Sequence, residues 1–230
     1  MNYEIIATGS SGNATVIEGK ILIDCGVQYR ELLYYTLDLE LVLLTHEHGD
    51  HFNESAVRRL ARNRPALRWA CCEWMVDRLL QAGVSKYAID VMEPGKGYLY
   101  GGLATVRPEK LTHNVPNCGW HIRIGNERLF YATDTGTLEG VEAKGYDLYM
   151  VEANHSRAEL ESRIADKEAR GEYAYEIRAA ENHLSFEQAI DWFAENGGPK
   201  SLWIPMHGHI DRGGKQNGRP QDAGPDDNGE

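Results

Sequence analysis

The chain has 230 residues, 42% of them hydrophobic and 26% charged, the balance of a globular protein long enough to bury a sizeable core. Asp and Glu number 35 against 24 Lys and Arg, a formal charge of -11, which excludes a broadly basic surface that grips nucleic acid through its phosphates alone. No apolar run approaches the ~20 residues that span a bilayer, and Met1-Asn2-Tyr3-Glu4 lacks the basic start of a secretion signal, so a cytoplasmic protein is expected.

In chain order, residues 3–8 read as a strand, followed by the turn-like Gly9-Ser10-Ser11-Gly12-Asn13. Strands at 14–17 and 21–24 flank a Glu18-Gly19-Lys20 turn, and 28–35 reads as a short helix. Residues 41–44 form an apolar run of strand length that leads directly into Thr45-His46-Glu47-His48-Gly49-Asp50-His51. An amphipathic helix is expected over 54–64, ended by Pro65, then a strand at 67–72, a helix at 74–81 ended by Gly83, and a strand at 88–92. Several short strands with Gly turns fill 97–132, and 147–151 is another strand. Residues 157–171 are charge-rich and read as an exposed helix. Ser185-Phe186-Glu187-Gln188 has the form of a capping box that starts a helix to about Asn196, with Gly197 as its stop. Residues 201–205 are a last strand. From Asp211 onward the chain is Gly, Pro, Asp, Asn and Gln without apolar periodicity, so one domain over 1–210 and a disordered tail over 211–230 are expected.

Cys25, Cys71, Cys72 and Cys118 include no CxxC pair and read as small buried apolar residues rather than ligands or disulfides. The histidine run is different. His46, His48, Asp50 and His51 lie within six residues. Alternate residues of an extended segment point the same way, so His46 and His48 can approach one cation. Gly49 would let the chain turn sharply, so that Asp50 and His51 face a second. Imidazole and carboxylate suit zinc, with manganese or iron as alternatives.

H-x-H-x-D-H after a hydrophobic strand resembles the metallo-β-lactamase superfamily, and further stations occur in the right order. Asp24 in Ile-Leu-Ile-Asp-Cys-Gly matches the family's early structural Asp. His113 in Leu-Thr-His-Asn-Val-Pro matches the third-motif His, Asp134 in Tyr-Ala-Thr-Asp-Thr-Gly the bridging Asp, and His207 in Pro-Met-His-Gly-His the last His ligand. The resemblance implies an α/β fold of four layers, the αβ/βα sandwich, with two divalent metal ions at the edge of its sheets. His46, His48 and His113 would hold one ion, Asp50, His51 and His207 the other, with Asp134 shared. His209 is an alternative to His207, two residues further from the strand.

Within the superfamily the chain resembles the YycJ/WalJ-like branch and, more distantly, RNase Z. The carriers are Thr8-Gly9-Ser10-Ser11-Gly12-Asn13, then His113-Asn114-Val115-Pro116 with Gly119, then Glu152-Ala153-Asn154-His155 and Asn182-His183-Leu184-Ser185. That branch implies phosphodiester cleavage of DNA or RNA. Asp50 would orient the attacking water and accept its proton, and His183, oriented by Glu152, would protonate the leaving alkoxide. A small-molecule hydrolase (cyclic phosphodiesterase, lactonase or thioesterase) would use the same metals with a different pocket. A catalytically silent scaffold is a third reading, against which the intact ligand set argues. The expected partner is a nucleic acid or other phosphodiester. With no evident nucleic-acid-binding domain, the grip on such a substrate must be short, or come from a homodimer or another protein.

Other residues keep two readings. The Gly9–Asn13 turn could offer N–H groups to a phosphate or simply close a hairpin. Trp74, Tyr98 and Tyr100 could stack on bases, though core packing is the commoner use. His155 could touch substrate or sit on the surface, and His121, alternating with apolar neighbours, reads as a sheet residue.

Overall fold

The computed structural model describes residues 1–173 and 181–208. Twelve strands among them form two six-stranded sheets. The first sheet runs in sequence order: β1 (Tyr3–Ala7), β2 (Ala14–Ile17), β3 (Ile21–Ile23), β4 (Leu41–Leu43), β5 (Arg68–Cys72) and β6 (Ile89–Met92). Its first three strands are antiparallel and β3 to β6 are parallel. The parallel crossovers carry α1 (Tyr29–Leu32), α2 (Glu54–Asn63) and α3 (Val76–Gln81). In the second sheet β7 (Tyr98–Tyr100), β8 (Ala104–Leu111), β9 (Asn117–Ile124) and β10 (Glu127–Ala132) form an antiparallel meander. β11 (Leu148–Glu152) and β12 (Leu202–Met206) then continue parallel to β10, and their connection includes α4 (Arg157–Ala169) and α5 (Phe186–Asn196).

Period-two side-chain alternation gives the central strands two buried faces. Ile21, Ile23, Leu41 and Leu43 point into the core between the sheets, where they meet Trp120, Leu129, Tyr131 and Met150. Leu22, Val42, Trp69 and Cys71 point the other way, against Val57 and Leu60 of α2 and Leu79 of α3. Phe130, Tyr149 and Val151 likewise leave the central core and pack on Trp192 of α5. The layers are therefore helix, sheet, sheet, helix, the αβ/βα sandwich. Burial on both faces is why 41–44 and 148–151 read as continuous apolar runs rather than alternating ones.

The elements depart from expectation in few places. The first helix is one turn, because the chain breaks into successive turns after Leu32. Gly197 stops α5 without adopting the left-handed conformation expected of a C-terminal glycine: its φ is -70°. A Cβ there would lie 2.9 Å from the Phe193 ring, so glycine is required by contact rather than by dihedral. All four cysteines are unpaired and buried. Burial pushes the Cys25 and Cys71 thiols up to about 12, where they stay protonated. No described helix is long and apolar enough to cross a membrane. His209 and the 211–230 tail lie outside the described residues.

Candidate metal centre

The chemistry-bearing residues follow the C-terminal ends of parallel strands from both sheets. Asp24 follows β3, the histidine run follows β4, Asp134 follows β10, and His207 follows β12, while Glu152 is the last residue of β11. Asp24, Asp134 and His207 have φ of 59°, 57° and 53°, a region that costs a residue with a Cβ about 1–3 kcal/mol. Each is pinned by its neighbours. Asp24 accepts hydrogen bonds from the Thr45 backbone and hydroxyl, both at 2.9 Å. Asn117 donates to the Asp134 carbonyl at 2.7 Å. The His207 N–H donates to Thr8 Oγ1 at 2.7 Å, and Asn154 donates to its carbonyl at 3.0 Å.

Hydrogen bonds on the far side of each ring decide which nitrogen keeps its lone pair. His113 Nδ1 lies 3.1 Å from the Asn182 carbonyl, which can only accept, so the proton sits there and Nε2 is bare. Thr45 gives its hydroxyl proton to Asp24, so its oxygen accepts from His46 Nδ1 at 3.0 Å and leaves His46 Nε2 bare. Both bare nitrogens converge on His48 Nδ1, at 3.1 Å from His46 and 3.4 Å from His113. Burial, reinforced by the charge of His51, drives His46 far below the ordinary histidine range and keeps it neutral.

The second grouping comprises Asp50, His51 and His207. Asp24 Oδ2 holds His51 Nδ1 at 2.7 Å, which turns Nε2 toward Asp50 and Asp134. His207 Nε2 lies 3.4 Å from Asp50 Oδ2 and 3.5 Å from Asp134 Oδ1. Asp134 also closes a trio with His46 and His51, so it stands between the two groupings. Within each grouping the ligand atoms lie within 4.8 Å of one another. Burial opposes the charge on Asp134, but His51 and His207 outweigh it and hold the carboxyl well below its usual range. Burial likewise opposes protonation of His207, yet hydrogen bonds to Asp50 and Glu152 push it up to about 10.

These residues fit divalent cations. Two imidazole nitrogens present lone pairs toward a third ring nitrogen, a convergence that suits a cation held by all three. Asp134 Oδ2 is buried and accepts no well-directed hydrogen bond among the described residues, although His51 Nε2 is 2.7 Å away. A buried carboxylate is costly unless a positive charge faces it, and a shared cation would supply that charge with the neighbouring rings neutral.

A further pair adjoins the cluster. His183, just before the Ser185 cap of α5, places Nδ1 2.6 Å from Glu152 Oε1 and 3.6 Å from Asp134 Oδ1. Glu152 is wholly buried, and its other oxygen accepts from the Thr135 N–H at 2.9 Å. Burial works against a charge on His183, but Glu152 outweighs it and raises its pKa. The structure therefore gathers His46, His48, Asp50, His51, His113, Asp134, His207, Glu152 and His183 at one edge.

Gly49, expected to make the turn, has an unexceptional φ, and a Cβ there would meet nothing within 4 Å. The turn is closed instead by the His51 and Phe52 N–H groups on the His48 carbonyl. The glycine that the loop requires is Gly26, where a Cβ would lie 1.7 Å from the Asp50 carbonyl oxygen. Asn13, read only as part of a turn, proves to be buried with its carboxamide aimed at the cluster. Its nitrogen lies 2.8 Å from His51 Nε2 and 3.4 Å from Asp50 Oδ2, and Gly9 grips both ends of the amide. A buried Asn in a Gly-rich turn beside a ligand loop is visible only once the turn is placed.

The remaining residues take structural places. The Trp74 indole donates to the Thr45 carbonyl at 3.1 Å and so braces the ligand loop from behind. Tyr98 accepts from the Glu93 N–H, and Tyr100 donates to Asp90. His121 is a buried sheet residue between Tyr146 and Glu109. His155 pairs through its backbone with the start of α5 and belongs to none of the groupings above.

Comparison with known proteins places this arrangement in context. A family profile described as the β-lactamase superfamily domain matches residues 20–208. The exodeoxyribonuclease WalJ of Streptococcus pneumoniae is 26% identical over 231 residues, covering 91% of this chain and 81% of that one. Among solved structures, the metallo-β-lactamase fold protein YhfI from Bacillus subtilis superposes with a TM-score of 0.68 at 17% identity, over 90% of this chain and 86% of that one. The short form of human tRNase Z gives 0.68 at 15% identity, over 91% and 93%.

Proposed function

The chain belongs to the β-lactamase superfamily, and on that premise we propose that it is a metal-dependent phosphodiesterase that hydrolyses nucleic acid from an end. The similar WalJ protein is named an exodeoxyribonuclease, and tRNase Z shares the fold. Two zinc or manganese ions fit the two ligand groupings, where they would supply Lewis-acid polarisation and lower the pKa of water. The chain's own part lies in His183 and Glu152, which also gather with Asp134 and His207 but are not among the seven expected ligands. The observation that carries the reading is His183 held 2.6 Å from Glu152 beside Asp134, a pair placed to deliver the proton that the departing alkoxide of a phosphodiester needs.

His183 turns Nδ1 to Glu152, so Nε2 is the position from which it delivers a proton. Glu152 fixes the tautomer and ring orientation. Asp50, one-quarter exposed at its side chain, reaches both the cluster and solvent, and orients the attacking water.

The test offers bis(p-nitrophenyl) phosphate, labelled DNA, labelled RNA and a lactone panel to protein loaded with zinc or manganese. His183→Ala is expected to slow nucleotide release about 10²–10⁴-fold while metal content is unchanged. Lactone turnover with inert nucleic acid would overturn the reading.

A further inference from the structure

The outer face of the second sheet carries an arginine cluster that the metal centre does not use. In the antiparallel pairing of β9 and β10, Arg123 stands directly opposite Arg128. In the pairing of β8 and β9, Arg107 stands opposite His121, the next outward residue along β9. The three guanidinium side chains therefore share one face. With His121 and Tyr146 they surround a cavity of about 200 Å³.

Like charges directly opposite each other across a sheet destabilise the pairing. Here the pair is built in rather than relieved. Arg128 lies over the Tyr146 ring at 4.7 Å and donates to the Gly145 carbonyl, so its guanidinium is already fixed in place. Arg123 is exposed and has no acidic partner among the described residues. The acidic groups nearby are committed. Glu109 bridges Arg107 and His121, and Asp147 accepts the Arg128 backbone N–H. Arg123 and Arg128 thus remain as paired positive charges on a chain whose formal charge is -11. An anion with several oxygens relieves their repulsion and gains charge-assisted hydrogen bonds from planar donor forks.

We propose that this cavity is an exosite for the sugar–phosphate backbone of the nucleic-acid substrate. Arg123 and Arg128 hold a phosphate, and Arg107 contributes at the rim. The inference rests on the nuclease reading and deepens it. Arg123 pairs with Thr105 of β8, eight residues from His113 along β8 and its continuation, about 26 Å. The phosphate held here therefore lies several nucleotides from the bond being cut. This places the grip on nucleic acid within the fold, despite the acidic composition.

The test compares wild-type protein with Arg123→Glu and Arg123→Gln, substitutions at an exposed residue. Binding of a labelled single-stranded oligonucleotide to metal-free protein is followed by fluorescence anisotropy across a salt series. Turnover of the same oligonucleotide and of bis(p-nitrophenyl) phosphate is measured with metal bound. Arg123→Glu is expected to weaken oligonucleotide binding and raise its KM about tenfold, and to lower the salt slope by about one. Turnover of bis(p-nitrophenyl) phosphate, which is too short to reach the patch, stays at the wild-type rate. Unchanged oligonucleotide KM and affinity in Arg123→Glu, with nucleic acid still cleaved, would overturn the exosite and leave the nuclease reading standing. Wild-type protein that neither binds nor cleaves nucleic acid would sink both.

Discussion

At the level of single residues, the candidate centre is organised by where protons already reside. The carbonyl of Asn182, the hydroxyl of Thr45 and the carboxylate of Asp24 each engage the Nδ1 side of a ring and leave Nε2 turned inward. His46, His48, Asp50 and His51 were legible in the sequence because they are adjacent, and adjacency in an extended segment translates directly into proximity. Asn13 was not, because its role depends on a contact with Asp50 and His51 from 37 and 38 residues away. Asn13→Ala removes the amide that faces both side chains and leaves the Gly9–Asn13 turn without its clasp. Metal affinity is expected to fall 10–100-fold, the usual cost of losing a support behind a ligand. Titration with a chromophoric chelator measures it. Wild-type affinity in the variant would reduce Asn13 to a turn residue.

At the level of elements, alternation along each strand distributes apolar side chains between the central core and the helical layers. Leu41, Val42 and Leu43 are consecutive yet serve two cores. Such runs declare a strand buried on both faces, and the capping box at Ser185 declared the start of α5; both are encoded locally and were readable. The identity of the critical glycine was not. Gly49 sits inside the motif but has open space around it, whereas Gly26, far outside the motif, touches the Asp50 carbonyl. Gly26→Ala forces the ligand loop away from β3 and is expected to cost roughly 1–3 kcal/mol together with weakened metal binding. Gly49→Ala should leave both nearly unchanged. Thermal unfolding and metal titration of the two variants decide the matter, and the opposite ranking would refute it.

For the molecule as a whole, the edge shared by the two sheets concentrates Asp24, Asp50, Asp134 and Glu152 around buried imidazoles. Cations that bind only the folded chain stabilise it by mass action, about 2.7 kcal/mol at a hundredfold excess over Kd. For a chain of this size that corresponds to a Tm shift of roughly 5–10 °C. Chelation is expected to lower Tm by that amount and added zinc or manganese to restore it. Asp134→Asn, which weakens the residue between the two groupings, should blunt the response. A Tm indifferent to metal in the wild-type protein would argue that the centre stays empty.

The sequence by itself determined the strands of the first sheet and the last two of the second, the cap of the last helix and the histidine run, because each is written in spacings of two to four residues, whereas the long strands of the 97–132 meander were legible only as a β-rich stretch. Only the tertiary structure decided which loop each ligand faces, that Gly26 rather than Gly49 is indispensable, that Asn13 is aimed at the centre, and that Arg123 opposes Arg128. Those facts depend on strand register and on residues separated by tens to hundreds of positions. Their meeting is set by how two twisted sheets pack, which no local pattern records.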